Sequence, residues 1–240
     1  MIKVLFSFRL IIFIIMKNYL GLIISASVML VTGNSCSSSR FVEPLAKKQH
    51  AIGVNLGGPL INFGGATIPT PLSSIVYGYG LDSNLTVFGG LHTTSLIFNN
   101  FHTDLGLTYK FINQTKYTPS LSGSLNNTLV TSLRTGTTRY WPQVDSNGYW
   151  SFSKRNHFWY VGVSNWFELR NQRANDEVQI KRWLPNPQAG VTFKTKTFQF
   201  NIEYKLLAVG INSNDVFVPY QSLSNNKGAM GLYFGVTKTF

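Results

Sequence analysis

The last thirteen residues, Gly228 to Phe240, alternate without a break: Met230, Leu232, Phe234, Val236 and the terminal Phe240 lie on one face, and Ala229, Gly231, Tyr233, Gly235, Thr237 and Thr239 on the other. A period of two puts alternate side chains on opposite sides of a sheet. A strand of this length, apolar on one face and ending on an aromatic residue, has the pattern of a lipid-facing strand that closes a barrel. The same alternation runs through nearly everything from residue 50 onward, with no long repeat, heptad or Asn/Gln tract. The expected fold is therefore all-β: one domain, residues 50 to 240, forming a closed antiparallel up-and-down transmembrane β-barrel of about ten strands.

The clearest strands are residues 101 to 111, with Phe101, Leu105, Leu107, Tyr109 and Phe111 opposed to His102, Asp104, Thr108 and Lys110, and residues 198 to 208, with Phe198, Phe200, Ile202, Tyr204, Leu206 and Ala208 opposed to Gln199, Asn201, Glu203 and Lys205. Both have the length, about ten residues, that a tilted strand needs to cross hydrocarbon. The remaining strands are expected near 50 to 58, 72 to 81, 85 to 96, 118 to 133, 138 to 153, 157 to 169 and 187 to 195. Asn147-Gly148 has hairpin-turn composition, but a turn there would leave pieces too short to span, and the phase of Val144, Ser146, Gly148, Trp150 and Phe152 continues through it. Tight links at Asp82 to Asn84, Lys154 to Asn156 and Lys196 to Thr197 alternate with long segments at Pro59 to Pro71, Arg170 to Asn186 and Gly210 to Lys227. That alternation suits short periplasmic turns and long outward loops. An eight-stranded barrel results if 50 to 58 and 138 to 153 fail to span.

Charged residues make up 12% of the chain while mean hydropathy is only +0.03, because apolar residues are interleaved with Ser, Thr, Asn and Gly and not massed into helices. Lys3, Arg9 and Lys17 precede Cys36, which leaves 18 basic against 9 acidic residues after it, a balance of +9. No basic helix face, zinc spacing or aromatic-basic motif accompanies that charge, so a nucleic-acid partner is not expected. Lys17 followed by the apolar run Tyr19 to Val31 is too short to span and reads as a signal peptide over 1 to 35, with Met16 an alternative start. Cys36, the only cysteine, resembles the acceptor of a bacterial lipoprotein signal, although Gly33, Asn34 and Ser35 depart from the usual pattern. Residues 36 to 49, beginning with Ser37 to Arg40, read as a short flexible periplasmic tether.

By phase, the inward set includes His92, His102, Asp104, Lys110, Asp145, Glu168, Lys194, Glu203 and Lys205. Charges inside a small barrel persist when partnered, so His92, His102, Asp104, Glu168, Glu203 and Lys205 are expected to form an interior ion-pair and hydrogen-bond network. A sharper reading has His92 or His102, with Asp104 or Glu168, activating Ser95, Ser164 or water for lipid hydrolysis. No local nucleophile motif supports that reading, and no catalytic residue, metal or cofactor is assigned. Tyr77, Tyr79, Tyr109, Phe111, Trp150, Phe152, Trp159 and Phe167 face outward as candidates for interface girdles. Gly57-Gly58 and Gly64-Gly65 lack the helix and Lys-Ser/Thr of a phosphate loop. Arg170, Arg173, Lys181 and Arg182, beside Trp183 and Leu184 in the longest outward loop, are candidates for contact with lipopolysaccharide phosphates. Val216, Phe217, Val218 and Tyr220 form an apolar loop cluster that should fold into the barrel mouth or meet a partner protein.

With Cys36 ahead of the barrel, Leu-Gly-Gly-Pro-Leu at 56 to 60, Tyr-Val-Gly-Val-Ser-Asn-Trp-Phe-Glu-Leu at 160 to 169 and terminal Phe240, the chain resembles small outer-membrane β-barrel lipoproteins of Gram-negative bacteria with no assigned activity. The resemblance covers residues 36 to 240. It implies an outer-membrane location with a periplasmic, lipid-anchored N-terminus. Phe240, with Val236 and Phe234, also resembles the signal read by the barrel-assembly machinery, a transient partner; Lys238 departs from its alternation. The expected role is a non-enzymatic structural or accessory subunit. A narrow transport or lipid-binding barrel and an outer-membrane lipid hydrolase are the alternatives.

Overall fold

A computed structural model describes residues 40–172, 178–212, 220–224 and 227–240. Among the described residues the fold is all-β, with eleven strands and one short helix. The strands are β1 (His50–Phe63), β2 (Ala66–Pro69), β3 (Ser73–Asp82), β4 (Leu85–Leu91), β5 (Asn100–Ile112), β6 (Ser120–Ser132), β7 (Thr138–Phe152), β8 (His157–Phe167), β9 (Trp183–Lys194), β10 (Phe198–Asn212) and β11 (Lys227–Thr239). Each strand pairs antiparallel with its neighbour in chain order, except that β3 pairs with β1 and the short β2 flanks the far half of β1. β11 returns to β1 in register from Ala51↔Thr239 to Pro59↔Gly231, closing ten strands into a barrel. The segments at 50 to 58 and 138 to 153 both span, which excludes eight strands.

Alternation fixes which way each side chain faces. On β10, Phe200, Ile202 and Tyr204 are exposed while Glu203 and Lys205 are buried, and on β5 Leu105 and Tyr109 are exposed while Asp104 and Thr108 are buried. The outside is thus a continuous apolar belt, with Ile52, Val54, Leu56, Ile75, Phe234 and Val236 also exposed. Such a surface suits lipid and would be costly in water. Aromatic rings gather on this outer face near one rim, where Trp150 and Trp159 stack at 4.1 Å across the β7–β8 pair. No helix among the described residues is long and apolar enough to cross a membrane.

The two rims differ. One, the turn end, carries the connections at 83 to 84, 113 to 119, 153 to 156 and 195 to 197, together with both ends of the barrel sequence, where His50 and Phe240 exchange backbone hydrogen bonds. The other, the loop end, carries the 168 to 182 and 213 to 226 connections. Three local features depart from expectation. The segment at Pro59 to Pro71 is a hairpin, because β1 continues to Phe63 and turns at Gly64-Gly65, both at positive φ, into β2. The strand expected over 85 to 96 stops at Leu91, and α1 (Thr93–Ile97) follows. β9 begins at Trp183, which puts Trp183 and Leu184 in the wall; Leu184 packs inward with Trp141 and Trp166.

The largest correction concerns the tether. From Arg40 onward it is not a free linker: Phe41, Val42 and Leu45 are buried, and the segment runs up the lumen from a turn at the turn end. Lys48 adopts φ 64°, Gln49 N–H donates to Ala46 O, and Lys48 N–H to Gly80 O, so the chain reverses direction at the rim before β1.

Candidate functional site: the lumenal strap and the histidine cluster

Residues 40 to 45 form a strap held by three wall strands. Thr108 donates to Phe41 O at 2.9 Å, Ser122 to Val42 O at 2.6 Å, and Leu45 N–H donates to the Thr86 hydroxyl at 2.7 Å. These contacts satisfy main-chain groups that would otherwise lie dry inside the barrel. Phe41 and Leu45 pack with Ala51, Val76 and Phe88, and Val42 with Tyr149, Phe158 and Tyr160. The path is open on the β3 side because two inward positions there are glycines. A Cβ on Gly78 would come within 2.5 Å of the Phe41 ring, and one on Gly80 within 2.0 Å of Ala46 O.

Arg40 stands at the head of the strap. Its Nε lies 2.8 Å from Asp145 Oδ2, and its terminal nitrogen donates to Glu203 Oε2 at 2.6 Å. The Tyr160 hydroxyl donates to the same Glu203 oxygen at 2.6 Å, and Lys205 Nζ approaches the other at 3.3 Å while lying over the Tyr233 ring. Burial opposes the guanidinium charge, but the Glu203 and Asp145 carboxylates outweigh it and hold the Arg40 pKa above its ordinary value. Two cations and two carboxylates balance here, so the buried set is neutral. Lower in the strap Glu43 pairs with Lys194, which lies over Phe158.

Nearer the loop end is a second cluster, built by β4, β5 and α1. His92 Nε2 lies 2.7 Å from Asp104 Oδ2, and Thr128 donates to Asp104 Oδ1 at 2.5 Å. The His92 and His102 rings stack with centroids 3.5 Å apart and planes 9° from parallel. Ser95, on α1, sits 3.2 Å from His102 Nδ1. The structure thus joins His92, His102, Asp104 and Ser95, four residues on which the hydrolytic reading draws. Acyl transfer needs one imidazole bridging serine and carboxylate. Here His102 Nε2 is 4.0 Å from Asp104 Oδ1, beyond hydrogen-bond reach, and the carboxylate is held by His92 and Thr128 instead.

The other expected site residues lie apart from both clusters. Glu168, just past β8, accepts from Trp141 Nε1 at 2.6 Å and from Arg170 N–H, so it belongs to the loop end and not to the central network. Ser164 accepts from Trp166. The Arg170 side chain donates to Thr138 O at 2.6 Å, Lys181 to Gly210 O at 3.0 Å, and Arg182 to Asn171. Phe234 and Val236 are on the lipid face, as is Phe240 at the rim. Cys36, residues 1 to 35 where a signal peptide is expected, Arg173 and Val216 to Val218 lie outside the described residues. Arg40 is the residue that reasoning from the sequence missed. Its signal was a charge deficit, since the inward set holds Asp104, Asp145, Glu168 and Glu203 against only Lys110, Lys194 and Lys205.

No family model matches the sequence, and no curated protein does. Solved structures with which the chain can be superposed are outer-membrane barrels. An outer membrane channel from Pseudomonas putida F1 gives a TM-score of 0.46 at 10% identity, covering 83% of this chain and 98% of that one. The translocator domain of the autotransporter NalP from Neisseria meningitidis gives 0.44 at 9% identity, covering 83% and 91%. The NanC porin gives 0.41 at 12%, covering 79% and 98%. At these scores the likenesses carry no weight for ligand or activity.

Proposed function

We propose that this protein is an outer-membrane β-barrel lipoprotein of a Gram-negative bacterium, with its lumen held shut by its own N-terminal strap, that serves as a non-enzymatic structural or accessory subunit of an outer-membrane assembly. The observation that carries this reading is the neutral lock of Arg40 and Lys205 with Asp145 and Glu203, which ties the strap to the barrel interior. In this reading the turn end faces the periplasm. Acylation of Cys36 anchors the N-terminus, Arg170, Arg173, Lys181 and Arg182 meet lipopolysaccharide phosphates on the outer side, and the strand ending in Phe240 engages the barrel-assembly machinery during insertion. Arg40 follows Cys36 by four positions, about 14 Å at full extension, so the lipid and the strap share one short stretch of chain.

Gentle detergent extraction of the tagged full-length protein from outer membranes, followed by intact mass and identification of co-purifying proteins, tests this. An acylated mass beginning at Cys36 with a stoichiometric companion is the expected result. A solitary, unacylated protein refutes both the lipoprotein and the subunit readings. Narrow transport is a second reading, favoured by one feature: the strap is a segment of chain separate from the wall.

A further inference from the structure

The lumenal carboxylates are not equally provided for. Asp145 and Glu203 share Arg40 and Lys205, and Glu43 has Lys194, whereas the ion-pair partners of Asp104 among the described residues are the imidazoles of His92 and His102 alone. Asp104 is 2% exposed. An ionised carboxylate so placed needs a counter-charge, which is either a proton on a histidine or a bound cation.

From this charge imbalance and the geometry around it, we infer that His92, His102 and Asp104 form a binding site for a divalent transition-metal ion, of the kind that zinc occupies. Their donor atoms all lie within 4.8 Å of one another. Around a tetrahedral ion with bonds of about 2.0–2.1 Å, ligand atoms sit about 3.3 Å apart. His92 Nε2 lies 2.7 Å from Asp104 Oδ2 and His102 Nε2 lies 4.0 Å from Asp104 Oδ1, so the two imidazoles approach the two oxygens of one carboxylate. Closing on an ion draws His102 Nε2 toward Asp104 and lengthens the His92–Asp104 contact.

Binding also fans the two rings open, because a metal must lie near the plane of each imidazole and parallel rings share no such point. The Ser95–His102 hydrogen bond yields in that motion. Thr128 already orients Asp104 from behind, as outer-shell partners of metal ligands do. Two imidazoles and one carboxylate select zinc, cobalt or nickel over calcium or magnesium, which prefer all-oxygen shells. Three protein ligands leave a fourth position for water.

The test uses untagged full-length barrel, stripped with chelator and titrated with Co²⁺ and then Zn²⁺. The chain has four histidines, and His50 and His157 stand elsewhere, so the control is internal. The expected result is one equivalent of Co²⁺ per barrel with the visible spectrum of a four- or five-coordinate ion, displaced by Zn²⁺ and not by Mg²⁺ or Ca²⁺. His92→Gln, His102→Gln and Asp104→Asn should each weaken binding at least tenfold, and the His50→Gln/His157→Gln pair should leave it unchanged. Folding of each variant is read from its heat-modifiable gel migration. Should a ligand variant fail to fold, X-ray absorption on the wild-type zinc form decides, since the site requires two imidazoles in the coordination shell. Absence of stoichiometric binding, binding that survives Asp104→Asn, or binding lost with His50 and His157 overturns the inference.

Discussion

At the scale of the residue, Arg40 brings one positive charge into a compartment whose walls supply Asp145, Glu203 and Lys205 within ion-pairing distance. Removing the guanidinium does more than delete two ion pairs: it strands a net negative charge where side chains are 5% exposed or less. Breaking a buried pair from one side costs about 3–5 kcal/mol, whereas replacing both partners is far milder. Arg40→Met, which keeps the stem volume, is therefore expected to lower stability by about that amount in urea unfolding of the folded barrel. Adding Asp145→Asn should recover at least half of the loss by restoring neutrality. If the double variant is no better than Arg40→Met alone, the strap is held by packing and not by charge.

At the scale of the element, the strap and strand β3 are fitted to each other through two side-chain-free positions. Gly80 N–H donates to Gln49 O and Gly80 O accepts from Lys48 N–H, so the strap turn is sewn to the very glycine that makes room for Ala46. Gly80→Ala is expected to displace the strap while leaving β3 paired with β1 and β4, because no pairing of those strands depends on the glycine itself. Limited trypsin digestion reads this out: the Arg40 side chain is 5% exposed in the wild type, and the bond after it should become a cleavage site in the variant. A digest unchanged from wild type sinks the fit argument. The wall was legible from sequence because period-two alternation is a local signal; Glu203 and Lys205 faced inward by phase alone, and Trp150 and Trp159 outward. The strap was not, since Ser37 to Arg40 has the composition of a linker and Arg40 finds its partners 105 and 163 residues away in sequence. α1 was hidden for another reason: it has five residues, too few to show helical periodicity. The His92 and His102 stack was half legible, for both inward positions followed from phase, but their contact needed β4 to end early and the chain to cross back to β5.

At the scale of the whole molecule, two separate obstructions stand in series along the barrel axis. The strap fills the half nearer the turns, and the Trp141, Trp166 and Leu184 cluster narrows the half nearer the loops. The wall that remains without the strap carries Asp104, Asp145 and Glu203 against Lys194 and Lys205, a negative balance of one charge that favours cations. Full-length protein in a planar bilayer should be electrically silent. A chain lacking residues 40 to 45 should still close, because the β1–β11 register begins at Ala51, and should show small, cation-selective openings that widen when Trp141→Ala is added. Silence in the shortened chain, followed by conductance once Trp141 is replaced, would assign the closure to the tryptophan cluster and make the strap a stabilising brace. Anion-selective openings would mean that the inward carboxylates do not set the lumenal field. Openings already present in the full-length barrel would show that the strap leaves its seat unaided, and would move this protein from the structural reading to the transport one.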